Sequence, residues 1–196
     1  MDLVERTRKE TERINRIIKD LLQFSKPPSY HRDDVDVNRL VQDSLSVVGV
    51  QERFQAISLD LSLADDLPLI QANSDQLQQV LFNVLINAAD AMPDGGSLSV
   101  RTEQKNQWVI IAVKDTGVGI AAEDLGKIYD PFFTTKSPDK GTGLGLSISL
   151  RIIEELGGRI KVQSEKGRGT EFIVYLKKAE KRSVKKRGSR KKKQTG

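Results

Sequence analysis

The sequence has no cysteine, one histidine and no long apolar run among its 196 residues. Without cysteine there is neither a disulfide framework nor a thiolate metal site, and one histidine argues against a histidine-based metal centre. No apolar run approaches the ~18 residues of a membrane span, and no secretory signal pattern is visible. These absences favour a soluble protein, with the cytosol as the expected compartment.

The net charge of +5 is unevenly distributed along the chain. Residues 177–196 hold eleven Lys or Arg and one Glu, which leaves the rest of the chain at a net −5. A basic tail of this kind can bind nucleic acid or an anionic membrane surface. It has no aromatic residue to stack on bases, so we favour a disordered, solubilising or weakly interacting end over a nucleic-acid partner.

The chain opens with an amphipathic pattern over residues 2–25 that predicts one long helix. Apolar and small residues recur at three-four spacing, as in a coiled coil or a four-helix bundle. The members of this seam are Val4, Thr7, Thr11, Ile14, Ile17, Ile18, Leu21, Phe24 and Ser25. The sequence "KPP" at 26–28 ends the helix. The helix could fold back on the main domain, but we favour one half of a truncated dimerisation hairpin.

After a linker at 28–36, alternating helix and strand patterns predict an α+β domain over residues 37–176. Helices are expected over 37–48, 74–92 and 144–158, and strands over 57–63, 97–103, 108–114, 159–164 and 170–176. Ser74 is a plausible N-cap. Residues 115–144 read as a loop, and loops of this length are usually functional lids or disordered.

The helix over 74–92 carries polar residues beside its apolar stripe. Asn83 and Asn87 are one turn apart, with Asp90 next along the same ledge. Asparagine gains little inside a helix, so this placement suggests oxygen ligands for a hard cation or its waters. Ordinary surface amides explain the same residues equally well.

The loop begins with "DTGVGI" (115–120), directly after an apolar strand, and continues with "YDPFFTTK" (129–136). An aspartate at the end of a strand, followed by two glycines, would face a cleft and could accept a hydrogen bond from an exocyclic amine such as that of adenine. A plain surface turn is also common for "DTG". The adjacent aromatics of the second stretch should pack under a lid or cover a ligand.

A glycine-rich stretch, "GTGLGLS" (141–147), leads directly into a helix. Backbone N–H groups and the dipole at a helix N-terminus attract anions, so phosphates can bind there. Lys136 and Thr142 could add donors. The spacing matches neither a P-loop nor a dinucleotide-binding loop.

These four elements, in this order, resemble the ATP-binding catalytic domain of sensor histidine kinases, within the wider family of gyrase, the Hsp90 chaperone and the MutL repair protein. The N box would be "NVLINAADAM", the glycine boxes "DTGVGI" and "GTGLGLS", and the F box "DPFFTTK". The resemblance covers about residues 10–176. It implies a two-layer α/β sandwich of the Bergerat type, with a mixed sheet packed on helices, preceded by one long helix.

The resemblance also implies roles for particular residues. Asn87 would ligate Mg²⁺ with Asn83 assisting, Asp115 would bind the adenine amino group, and Asn83 and Lys136 would take part in catalysis. The residues expected to bind ATP or ADP are Asn83, Asn87, Asp90, Asp115, Gly117, Gly119, Ile120, Phe132, Thr135, Lys136, Gly141, Thr142, Gly143, Leu144, Gly145, Leu146 and Thr170. The loop 131–144 is expected to be mobile and to close over the nucleotide.

The sequence departs from the family pattern at two points. Hydrolysing members have a glutamate at the position of Asn83, and an amide cannot act as a general base at neutral pH, which favours a kinase. The only histidine, His31, lies beyond the helix in the linker and is followed by Arg32, where sensor kinases have an acidic residue. Residues 1–27 therefore resemble the second hairpin helix, and the acceptor histidine is expected upstream.

The resemblance implies further partners: a response regulator, the chain's own dimerisation and phosphoacceptor domain in cis or in trans, and a second copy in a homodimeric parent that a membrane could tether. Three other classes remain open. An ATP-hydrolysing switch would need a base at position 83, and a kinase acting on serine would lack the hairpin helix. A nucleic-acid-binding module would depend on the tail.

Overall fold

The computed structural model describes residues 3–25, 31–137 and 141–179. Its first element is α1 (Leu3–Ser25), the helix that the sequence predicts. The apolar seam of α1 is uncovered in this structure: Val4 is 72% exposed, Ile14 is 54% exposed, and Ile18 and Leu21 are about half exposed. The side chain of Phe24 and all of residues 26–30 lie outside the described part. A seam so exposed is free to pack against another helix.

Two three-residue strands, β1 (Asp33–Val35) and β3 (Ile70–Ala72), pair antiparallel beside the main sheet. The sequence pattern predicts neither strand, and β1 falls within the predicted linker 28–36. Three residues are too few to display a period of two, so no pattern in the sequence reveals them. The folded domain therefore begins earlier than the predicted boundary at residue 37.

The main sheet has five strands in the order β2-β4-β5-β7-β6, in which β2 runs parallel to β4 and all other neighbours are antiparallel. The strands are β2 (Ile57–Ser62), β4 (Gly96–Lys105), β5 (Trp108–Asp115), β6 (Arg159–Glu165) and β7 (Gly169–Lys177). All five predicted strands are confirmed. The sheet continues past the predicted end of the domain at residue 176, since the N–H of Lys178 donates to Gln107 (3.0 Å). Residues 180–196 of the tail lie outside the described part.

Three helices cover one face of this sheet: α2 (Val37–Gly49), α3 (Ser74–Asp90) and α4 (Gly145–Glu155). The N-cap of α3 is Asn73, whose side chain accepts a hydrogen bond from the N–H of Gln76 (3.0 Å). The prediction that Ser74 caps this helix is therefore wrong by one residue, because Asn73 keeps extended dihedral angles and provides the side-chain oxygen. The predicted end of this helix, at residue 92, lies two residues beyond the observed end at Asp90.

The core lies between the sheet and these helices. Leu77, Leu85 and Ile153 of the helices are 0–2% exposed, as are Leu98 and Ile111 of the strands. Alternate residues of β4, β5 and β7 face this layer, which is the period of two that a half-covered sheet requires. The fold is the α+β two-layer architecture that the sequence predicts. Between Asp115 and Gly145, the described residues form neither helix nor strand.

None of the described helices combines the length and the apolar character that crossing a bilayer requires. The longest, α1, is 23 residues long but interrupts its apolar residues with charged ones throughout.

Candidate functional site

A cavity of about 540 Å³ lies between α3, the loop that follows β5, the start of α4 and strand β7. Most of the predicted site residues line it: Asn83, Asn87, Asp90, Asp115, Gly119, Ile120, Thr135, Lys136, Gly141, Thr142, Gly143, Gly145, Leu146 and Thr170. Residues separated by more than eighty positions in the chain thus meet around one space, whose volume suits a small-molecule ligand.

One group of residues at the cavity, the aspartate cluster, consists of Asp115, Gly117, Ile120, Ser164 and Thr170, of which Asp115, Ile120 and Thr170 line the cavity. Asp115 ends β5 and is only 3% exposed. Its Oδ1 atom accepts hydrogen bonds from the N–H of Gly117 (2.8 Å) and from the N–H of Thr170 (3.2 Å). Burial raises the pKa of Asp115, and these two hydrogen bonds oppose the rise. Both bonds reach the same oxygen atom of a carboxylate that lines the cavity.

Ser164 completes this cluster, and the sequence analysis does not predict it. Its Oγ atom donates to the carbonyl oxygen of Gly169 (2.9 Å) and accepts from the N–H of Ile120 (2.8 Å). It also lies 2.9 Å from Oγ1 of Thr170. Ser164 therefore joins the loop after Asp115 to strand β7. A serine within a strand is ordinary, so the sequence gives no signal of this contact.

Gly119 lets the loop after Asp115 approach the β6–β7 hairpin closely. Its φ of +66° is left-handed, and a Cβ atom there would lie 2.1 Å from the carbonyl oxygen of Glu165. Only glycine fits both conditions. The glycines of "DTGVGI" therefore shape the aspartate cluster rather than form a plain surface turn.

A second part of the wall, the lysine cluster, consists of Asn83, Asn87, Asp90, Lys136 and Arg53. The Lys136 ammonium donates to Oδ1 of Asn87 and to Oδ2 of Asp90, at 2.8 Å in each case. It thereby connects the loop after β5 to the last turns of α3. The other carboxylate oxygen of Asp90 accepts from Nη1 of Arg53 at 2.7 Å.

Asn83 has a different environment from Asn87, although both belong to the same ledge of α3. Its Nδ2 donates to the carbonyl oxygen of Gly145 (2.9 Å) and to Oγ of Ser149 (3.1 Å). The amide of Asn83 thus fastens α3 to the first turn of α4. Its amide nitrogen thereby positions the start of α4, and a role of Asn83 at a cation stays a prediction.

The glycine-rich stretch places backbone N–H groups beside the cavity where α4 starts. Leu144 at the N-cap position makes no side-chain hydrogen bond to this helix, since its side chain is apolar. Gly143 adopts a φ of +70°, and a Cβ atom there would lie 2.4 Å from the backbone of Phe132. The start of α4 therefore leaves N–H groups available for an anion.

Three of the predicted site residues do not line the cavity. Leu144 is fully buried in the core, and Gly117 packs against the backbone of Ala91 while donating to Asp115. Phe132 is 62% exposed, with a left-handed φ of +69° that turns the chain, and its neighbour Phe133 lines the cavity instead. A nucleotide contact of Phe132 stays a prediction.

The structure adds lining residues that the sequence analysis does not predict: Arg53, Gln79, Ile86, Ala91, Val118, Asp124, Ile128, Phe133, Thr134, Ile148 and Phe172. Gln79 and Ile86 each lie one turn from Asn83, so helical spacing could have found them. Arg53 comes from a 3₁₀ turn (Glu52–Phe54) far from every motif, and nothing in the sequence marks it.

The fold and the site together have the arrangement of a nucleotide-binding ATPase domain. The domain is a two-layer α+β structure with a buried aspartate at a strand end and paired asparagines on a helix. A glycine-rich loop leads into a helix that has no side-chain N-cap. Residues 72–180 match the family model described as histidine kinase-, DNA gyrase B- and HSP90-like ATPase. The match covers more than half of the sequence, and the chain belongs to this family.

Among curated relatives, sensor histidine kinase ZraS of Escherichia coli K12 is 41% identical over 168 residues, which are 86% of this chain and 36% of ZraS. The chain thus spans about a third of that protein. The catalytic domain of histidine kinase ThkA is 30% identical with a TM-score of 0.68, over 75% of this chain and 95% of that domain.

Two larger structures share the fold over more of the chain. ThkA in complex with the response regulator protein TrrA aligns with a TM-score of 0.73 and 29% identity, over 87% of this chain and 48% of ThkA. Full-length ShkA in complex with AMPPNP aligns with a TM-score of 0.77 and 25% identity, over 90% of this chain and 38% of ShkA.

Proposed function

We propose that this chain is the ATP-binding catalytic part of a two-component sensor histidine kinase, which binds Mg-ATP and transfers the γ-phosphoryl group to a histidine. One observation carries the proposal. The buried carboxylate of Asp115 lines the same cavity as an asparagine, a lysine and a helix N-terminus, which are groups that suit phosphates. The sensor-kinase relatives and the AMPPNP complex of ShkA support it.

The aspartate cluster would recognise the adenine ring. Oδ1 of Asp115 is engaged by Gly117 and Thr170, so Oδ2 would accept the hydrogen bond from the exocyclic amine. A fixed, desolvated acceptor discriminates strongly, because a base lacking the amine would leave Oδ2 of Asp115 unpaired. Ile120 and Ile128 provide apolar surface for the ring.

The lysine cluster and the start of α4 would bind the phosphates. The ammonium of Lys136 and the first N–H groups of α4 are donors, and both lie at the cavity wall. In phosphoryl transfer most of the rate enhancement comes from positioning and charge neutralisation, which these groups supply without any covalent step.

The donor set also fits magnesium. Oδ1 of Asn87 and Oδ2 of Asp90 are hard oxygen atoms that already hold one cation, the ammonium of Lys136. The described residues contain no group of three acidic or imidazole side chains, so an ion here would depend on phosphate oxygens and waters as well. Asn87 would hold Mg²⁺ with Asn83 assisting and Asp90 as a neighbour in the lysine cluster, and the ion would neutralise the charge of the phosphates.

Asn83 supports a kinase over a hydrolase. An amide is not a general base at neutral pH, and its nitrogen is engaged with Gly145 and Ser149. Without a base to activate water at this position, the γ-phosphoryl group would be transferred to a histidine nucleophile and not to water. Asn83 would then orient the start of α4 for catalysis, and Lys136 would stabilise the transferred group.

The remaining parts of the proposal concern partners. The exposed seam of α1 suits the helices of a dimerisation and phosphoacceptor hairpin, in cis or in trans, and hence a homodimer.

His31 is exposed and pairs with Asp33 (Nε2 to Oδ2, 3.0 Å), and we assign the acceptor role to a histidine outside this chain. Phosphate would then pass to an aspartate of a response regulator, a partner class that the ThkA–TrrA complex supports. We place this activity in the cytosol.

The proposed nucleotide site is tested by titrating Mg-ADP into the protein in a calorimeter. We expect saturable binding that Asp115→Ala weakens by about 100-fold or more, since this change removes the charged acceptor for the base. Asp94→Ala, at an exposed position in the turn before β4, serves as the matched control and should bind like the parent. Equal affinity in the parent and in Asp115→Ala would contradict the proposal.

A further inference from the structure

Arg53 belongs to the cavity although it comes from outside the region that matches the family model. It lies in the 3₁₀ turn between α2 and β2, ahead of residues 72–180. Its side chain is 44% exposed and lines the cavity, and its Nη1 atom lies 2.7 Å from Oδ1 of Asp90. No sequence motif includes Arg53, and the donors proposed for the phosphates are the Lys136 ammonium and the N–H groups of α4.

Asp90 holds two cations, one on each carboxylate oxygen. Arg53 donates to Oδ1 and Lys136 donates to Oδ2, at 2.7 and 2.8 Å. The carboxylate is 19% exposed, less than either partner. A charge this poorly hydrated depends on its partners, because solvent replaces them incompletely.

A nucleotide in this cavity would change which cations pair with the Asp90 carboxylate. Lys136 is bound to Asn87 as well as to Asp90, and it sits on the loop that leads to the start of α4. If Lys136 moves onto the phosphates, Arg53 is left as the cation on Asp90. Without Arg53, an unpaired carboxylate would then lie beside a triphosphate and repel it.

We propose that Arg53 is a positioning residue of the nucleotide site: it neutralises Asp90, so that Lys136 can leave Asp90 for the phosphates. This inference rests on the proposed function, since it needs a ligand that carries phosphate. Arg53 acts through Asp90 and does not need to touch the nucleotide. A direct phosphate ligand, by contrast, would have to contact the nucleotide.

The test is a double-substitution cycle read by calorimetry with adenosine, Mg-ADP and Mg-ATP as separate probes. For Arg53→Ala we expect unchanged adenosine affinity, a smaller loss for Mg-ADP and a loss of about tenfold for Mg-ATP, the scale of a partly desolvated charge pair. In Asp90→Asn the carboxylate charge is gone, so adding Arg53→Ala should change the Mg-ATP affinity by less than about twofold. Arg53→Lys should retain most of the parent affinity.

Arg101→Ala is the matched control, because Arg101 makes a comparable exposed ion pair with Glu171 on the opposite face of the sheet, away from the cavity. It should bind all three probes like the parent. A double variant as weak as Arg53→Ala would overturn the inference, since Arg53 would then contact the phosphates itself. Equal losses for adenosine and Mg-ATP would overturn it too, because they indicate a structural defect. Failure of the parent to bind any probe would instead overturn the proposed function.

Discussion

The aspartate cluster and the lysine cluster line one cavity, yet they are built in different ways. Asp115 and Thr170 are at most 5% exposed and are joined by hydrogen bonds to backbone N–H groups at the ends of strands. Asp90, Lys136 and Arg53 are joined through the tips of charged side chains that are 19–44% exposed. The first cluster is fixed by the sheet, whereas the second can rearrange by changing side-chain rotamers.

This difference indicates a division of labour. Recognition of a base gains from a rigid, desolvated acceptor, because nothing has to be ordered when the ligand binds. Chemistry on a phosphate needs cations that can follow the transferred group, and flexible lysine and arginine side chains allow this. Substitutions in the two clusters should therefore change the affinity for ligands with phosphate and for ligands without phosphate to different extents.

After Asp115→Ala, the largest effect is expected for Asn87→Ala, which removes an oxygen of the lysine cluster. Mg-ATP affinity should fall by on the order of 10- to 100-fold, the usual cost of losing a metal-site partner. Adenosine affinity should not change, since the aspartate cluster is intact. Calorimetry with and without Mg²⁺ measures both.

Asn87→Asp is the control for Asn87→Ala. It keeps an oxygen ligand at this position, so it should retain magnesium-dependent binding. If Asn87→Ala weakened adenosine as much as Mg-ATP, the proposed separation of the two clusters would be wrong.

Ser164→Ala should break the aspartate cluster without touching any charge. It removes one donor and one acceptor that connect Ile120, Gly169 and Thr170, so adenosine and Mg-ATP affinity should both fall about fivefold. Ser164→Thr should restore part of this loss. Ser99→Ala, in a hydroxyl pair with Asp60 at the sheet surface, is the control, and an equal loss there would refute a local role for Ser164.

Lys136→Gln should have a smaller effect on affinity, about threefold for Mg-ATP and none for adenosine. The contact that Lys136 gains with phosphate is offset by the hydrogen bonds to Asn87 and Asp90 that it gives up. Raising the salt concentration should narrow the difference between this variant and the parent. A loss of adenosine binding would place Lys136 in the recognition of the base.

The smallest effect is expected at Tyr129, a partly buried residue of the loop that does not line the cavity. Its hydroxyl has no hydrogen-bond partner among the described residues, and burial raises its pKa to about 12. Tyr129→Phe should leave the free energy of unfolding unchanged or raise it by up to about 1 kcal/mol, because an unsatisfied buried group is removed. Chemical denaturation measures this change. A clear destabilisation would mean that the hydroxyl has a partner.

The sequence predicts the main elements because their periodic patterns are long. The five sheet strands and the helices α1, α2, α3 and α4 all show a period of two or of three to four. Strands β1 and β3 have three residues each and fall below that signal. The cap of α3 was misplaced by one residue because Asn73 and Ser74 are both good caps, and only the dihedral angles decide between them.

The candidate site was predictable where chemistry is concentrated in a short stretch. Asp115, Asn87 and the glycine-rich loop stand out by residue type and spacing, and the structure brings them to one cavity. Ser164 and Arg53 reach the same region through tertiary packing alone. Their residue types are ordinary at those positions, so only three-dimensional contacts reveal them.

The most direct test of the account is the fate of the terminal phosphate of ATP. The chain is incubated with γ-labelled Mg-ATP, and ATP, free phosphate and protein-bound label are separated over time. The account predicts that the label stays on ATP over many binding events, since an amide at position 83 is not expected to activate water and the proposed acceptor is a histidine outside this chain. Free phosphate that accumulates over many turnovers, and that disappears in Asn87→Ala, would contradict the kinase and identify an ATPase.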